Sequence, residues 1–82
     1  MGRDMENFIL RRKLEYYIPD KFVNFDEYQD KFYLMKRIKE FLPEISDITI
    51  YSAIDFANNT VIPPRKKSDY INVLMRKLIS NN

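Results

Sequence analysis

Three consecutive cations, Arg65, Lys66 and Lys67, followed by Ser68, form the group in this sequence best suited to a chemical task, and the task is anion binding. They stand just ahead of a segment with helical periodicity, and a helix N-terminus is itself partially positive. Three positive charges placed there repel that end unless an anion, most simply a phosphate, completes the arrangement. Pro63 and Pro64 precede them, fixing two φ angles and removing two backbone donors, so the approach is stiff. The free amides around Ser68 to Ile71 are expected to point outward along the helix axis. Ser68 can add a hydroxyl contact or act as the N-cap. Tyr70 can stack on or hydrogen-bond a nucleic-acid backbone, or it can pack in the core. With Arg76 and Lys77 further along the same segment, the expected nucleic-acid-binding set is Arg65, Lys66, Lys67, Ser68, Tyr70, Arg76 and Lys77.

The charge balance points the same way. The formal net charge is +2, but residues 1–64 carry nine Lys or Arg against eleven Asp or Glu, whereas residues 65–82 carry five cations against Asp69 alone. Such asymmetry marks either a face that meets a polyanion or a solvated basic C-terminus. Two further basic groups, Arg11-Arg12-Lys13 and Lys36, Arg37 and Lys39, are spread around helical segments and read as solvated faces.

Other chemistries are poorly supplied. Histidine and cysteine are both absent, which removes the commonest general base, thiolate metal sites and Ser-His or Cys-His nucleophiles. No pair among the twelve carboxylates sits in a catalytic motif, and Asp26, Glu27 and Asp30 cluster where acids favour a helix start. The single Gly, at position 2, excludes a Gly-rich phosphate loop. The expectation is a protein that is not an enzyme and has no catalytic residues, metal or cofactor.

The elements that must position the basic turn are helices divided by prolines. The first is expected over about residues 5–17, capped by Asp4, with Leu10, Leu14, Tyr17 and Ile18 on one face and Pro19 ending it. The second, near 25–41, opens with a capping box from Asn24 to Glu27 and carries Phe25, Tyr28, Phe32, Met35, Ile38 and Leu42 as its stripe, up to Pro43. The third, near 49–58, buries Ile50, Ala53, Ile54 and Ala57 and stops at Asn58-Asn59. Val61 and Ile62 follow in the loop as plugs for the core. The fourth, near 68–79, buries Ile71, Leu74, Met75, Leu78 and Ile79. No segment sustains the period-two alternation of a strand, although Asp47 to Tyr51 and Thr60 to Ile62 have some strand propensity. Eighty-two residues with 45% hydrophobic content make one compact all-α four-helix domain.

Within that plan, Thr49 to Leu78 resembles the SAP motif, a helix–extended turn–helix module with LEM and HeH relatives. Thr49-Ile50 matches the Thr-Val at the family's helix start, Ala53 and Ala57 stand at its apolar spacing, and Ile62 corresponds to its linker leucine. Arg65-Lys66-Lys67-Ser68 occupies the family's Gly-Lys-Lys-like turn, here without the glycine, and Tyr70 or Ile71 with Leu74 to Leu78 continues the second helix. The first 45 residues have no counterpart in the motif. The resemblance implies DNA contact through Arg65, Lys66, Lys67 and Ser68, whereas LEM relatives bind proteins.

Two functions follow as expectations. The first is DNA binding through the Thr60 to Asp69 turn, mostly sequence-tolerant and weakened by salt. The alternative is a protein-interaction module, an adaptor or inhibitor of a larger protein. It would use Tyr16, Tyr17, Phe22, Tyr28, Phe32, Tyr33, Phe41 and Phe56, which exceed what four short helices readily bury. No apolar run reaches membrane-spanning length and no signal peptide opens the chain, so neither a membrane nor a small-molecule substrate is expected. The absence of cysteine fits an intracellular compartment, cytoplasm or nucleus. Abundant Asn, Ile, Lys and Tyr suit an AT-rich genome, including that of a virus or phage.

Overall fold

In the computed structural model, which describes residues 2–80 and the side chains of residues 8–79, the helices form where apolar residues recur each turn. The order is α1 (Gly2–Tyr17), β1 (Phe22–Val23), α2 (Tyr28–Phe41), α3 (Asp47–Thr60), β2 (Arg65–Lys66) and α4 (Lys67–Ser80). Among the described residues the domain is therefore all-α, four helices with one two-residue strand pair between connections.

Leu10, Leu14 and Ile18 bring α1 onto the core, and Tyr17 packs at its edge. The backbone is already helical at Gly2, so Asp4 does not hold the expected cap position. Nothing between residues 2 and 8 breaks a helix once it has nucleated.

The start of α2 also departs from expectation. Asn24 forms no capping box; its Oδ1 accepts the Asp26 N–H at 3.1 Å, an Asx turn that bends the chain before the helix. Glu27 stands at the cap position without a side-chain capping bond, and the helix begins at Tyr28. Its buried face is Leu34, Met35 and Ile38, continued by Leu42; of the expected stripe, Met35, Ile38 and Leu42 are buried and Phe25 packs against the core ahead of the helix, whereas Tyr28 and Phe32 stay exposed. Tyr28 is 67% exposed at the first residue of α2, although it shares a helical face with the buried Met35.

Ser46 caps α3 by accepting the Thr49 N–H at 3.2 Å, and Ile50, Ala53, Ile54 and Ala57 are buried as their spacing requires. The helix pair α2–α3 is antiparallel, pinned at its two ends by Lys31–Asp55 at 2.9 Å and Lys39–Asp47 at 3.0 Å. The small Ala53 and Ala57 let α4 approach α3 closely. In α4 the core residues are Tyr70, Ile71, Leu74, Met75 and Leu78, while Ile79 lies exposed at the rim.

The strand pair had no signal in the sequence. β1 and β2 run antiparallel with Phe22 opposite Lys66 and Val23 opposite Arg65, and the Lys67 N–H continues the pairing to the Lys21 carbonyl at 2.8 Å. It fastens the α1–α2 connection to the α3–α4 connection. Between them the turn also differs from expectation: Val61 packs against the core, but Ile62 is 78% exposed. Arg65 folds back under the turn, its Nε donating to the Val61 carbonyl at 2.8 Å, and Ile62 is left outside. No helix among the described residues is long and apolar enough to cross a membrane.

Candidate functional site

Side chains alternate sides along a strand, and residues directly opposite share a side. That rule sorts the basic run. Val23 and Arg65 face inward and are buried, while Phe22 and Lys66 face outward together.

Arg65 is only 7% exposed. Its Nη1 and Nη2 donate to the two Asp26 carboxylate oxygens at 3.1 and 3.2 Å, the bidentate geometry that suits guanidinium. Nη2 also donates to the Asn58 carbonyl at 3.0 Å, and Nε to that of Val61. Both carbonyls belong to the C-terminal end of α3, which has no basic residue in its own last turn. Arg65 thus supplies the cation that end favours. It is removed from the expected phosphate-contacting set, because its donors are already committed inside the domain.

Tyr70 is likewise a core residue. It is fully buried, its hydroxyl donates to Asn58 Oδ1 at 2.7 Å, and its ring centroid lies 5.5 Å from that of Phe25. Burial pushes its hydroxyl pKa well above the usual tyrosine range, and the nearby Arg65 charge offsets only part of that. Asn58 in turn donates to the Phe25 carbonyl at 2.9 Å, so Arg65, Asp26, Asn58, Tyr70 and Phe25 form one network. Tyr70 therefore offers no surface for a nucleic acid.

Lys67 does for α1 what Arg65 does for α3. Its Nζ donates to the carbonyls of Glu15 at 3.0 Å and Ile18 at 2.8 Å, at the end of a helix whose last turn has no basic residue. Lys66 and Ser68 remain exposed. Arg76 is exposed and Lys77 half-buried, with its ammonium 5.0 Å from the Phe56 ring centroid. Both lie more than two helical turns along α4 from Lys67, roughly 13 Å at about 1.5 Å per residue. The fold does not bring them to the turn.

What it does bring there is Lys21, which gave no signal in the sequence. Pro19, Lys21, Phe22, Lys66, Lys67 and Ser68 line an open groove of about 490 Å³ beside the N-terminus of α4. Three of these six are lysines, and none is acidic. Phe22 is 50% exposed within it.

A second feature lies on α2 and α3. The Tyr28 and Tyr51 rings are 6.4 Å apart, those of Phe32 and Tyr33 5.6 Å, and the Lys36 ammonium sits 5.4 Å from the Phe32 centroid. Tyr28 and Phe32 are one turn apart on the same helix, which joins the two pairs. Among the described residues no group of three or more acidic side chains could hold a metal ion. No protein-family model, curated protein or solved structure matches this chain.

Proposed function

We propose that the domain is a non-enzymatic nucleic-acid-binding module that holds the DNA phosphate backbone in the groove at the α4 N-terminus. The observation that carries this reading is the lining itself, three lysines and a serine with no opposing carboxylate. Lys21 and Lys66 make the phosphate contacts and Ser68 adds a hydroxyl, while Lys67 contributes charge from behind with its ammonium already engaged on α1. The likeness of residues 49–78 to the SAP motif supports the same face, with Lys66, Lys67 and Ser68 retained from its turn and Arg65 excluded.

Fluorescence anisotropy with labelled DNA at two salt concentrations tests this. Binding is expected to fall steeply with salt, and alanine at Lys21 and at Lys66 should each reduce the slope of log K against log salt by about one. Unchanged affinity in the double variant overturns the site.

A second reading is favoured by the exposed aromatic run of Tyr28, Phe32 and Tyr33, backed by the half-buried Tyr51, a surface rich in interface-anchor residues. A protein partner seated there would be lost with Tyr28→Ala and Phe32→Ala and retained with Lys21→Ala and Lys66→Ala.

A further inference from the structure

We infer that the groove takes an unpaired strand rather than a duplex, with one base stacked on Phe22 and the adjacent phosphates held by Lys21 and Lys66. This rests on the nucleic-acid reading above and names its substrate class. The position of Phe22 is the reason. The core needs only the inward side of β1, which Val23 fills, yet the outward side carries a phenyl ring that is half exposed. That ring is next in sequence to Lys21 and directly across the strand pair from Lys66, so an aromatic platform shares one groove with two cations. Aromatic faces interleaved with basic side chains are how single strands are bound without sequence preference, one base stacking while the backbone follows the charge.

A duplex cannot use that platform, because its base faces are covered by their neighbours in the stack; it would meet only the lysines. The groove volume of about 490 Å³ is on the scale of one small bound unit. Charge complementarity is set by the same residues, since Lys66 makes no ion pair among the described residues and no acid lines the groove.

The test is an anisotropy titration at low salt with a labelled 15-nucleotide single strand and the duplex of the same sequence. The full chain is compared with Phe22→Ala, Phe22→Trp and the Lys21→Ala/Lys66→Ala pair. The single strand should bind at least about tenfold tighter than the duplex, and Phe22→Ala should weaken it about tenfold while changing duplex affinity less than about twofold. The chain contains no Trp, so Phe22→Trp introduces the sole indole, whose fluorescence should quench as the single strand saturates. Equal affinity for both forms, no effect of Phe22→Ala and no quenching would overturn the stacking inference, while lysine-dependent binding would leave the phosphate reading intact. No binding of either form at low salt overturns both. Should Phe22→Ala fail to fold, the quenching of Phe22→Trp alone decides.

Discussion

Arg65 and Lys66 are adjacent in sequence and opposite in circumstance. One has its guanidinium bonded to Asp26, Asn58 and Val61; the other projects into solvent. The difference is the alternation of a two-residue strand, which turns neighbouring side chains to opposite sides. Arg65→Ala should therefore act on folding. It removes charge-assisted bonds and leaves two helix-end carbonyls without their donor, although the Asp26 side chain, 56% exposed, can be rehydrated. A loss of about 2–3 kcal/mol is expected in urea denaturation. Arg65→Lys should recover only part of it, because an ammonium cannot reproduce the bidentate fork. Lys66→Ala should change stability by less than about 0.5 kcal/mol. Comparable stability losses at the two positions would contradict this division.

At the scale of the element, the basic run is unfavourable against the N-terminus of α4 alone. In the fold it also faces the C-terminal ends of α1 and α3, which are negative and lack basic residues in their own last turns. Arg65 serves α3 and Lys67 serves α1. Lys67→Met should thus destabilise the domain by about 1 kcal/mol, with the fastest rise in hydrogen exchange at the end of α1 around Tyr17 and Ile18. Protection lost instead at the start of α4 would assign Lys67 a different role. The strand pair is the other element-scale device: it is too short to show periodicity, yet it brings Lys21 and Phe22 beside Lys66.

For the whole molecule, the apolar residues divide into a core and a surplus. Leu34, Ile38, Ile50, Ile54, Tyr70, Leu74 and Leu78 are fully enclosed, whereas Tyr28, Phe32 and Tyr33 remain on the surface. A domain of this length has a total stability of roughly 4–12 kcal/mol at about 0.05–0.15 kcal/mol per residue. Leu34→Ala should remove about 2–5 kcal/mol of it, a large share, through lost burial and a residual cavity. Tyr28→Ala should cost under about 1 kcal/mol, the worth of its contact with Tyr51. Thermal unfolding measures both, and about 1 kcal/mol corresponds to a shift of roughly 4–8 °C for a domain this small. A large loss at Tyr28 would mean that the aromatic run belongs to the core and would weaken the case for a partner there.

Read alone, the sequence determined the four helices and most of what they bury. Apolar residues at 3.6 spacing and prolines at the breaks are local signals, and Leu10 with Leu14, or Ile50 with Ala53, Ile54 and Ala57, needed no partner to be legible. It misjudged part of the face of α2 because Tyr28, Phe32 and Leu34 are all apolar, and only packing against α1 and α3 selects among them. It placed the basic turn between α3 and α4, and Lys66 and Ser68 are exposed there. Which cations remain free was decided by tertiary structure alone. The partner of Arg65 lies 39 residues away and those of Lys67 lie 49 and 52 residues away, distances over which no local pattern carries information. The groove that Lys21 and Phe22 complete exists only after the chain has closed on itself, because its two walls come from connections that lie far apart in sequence.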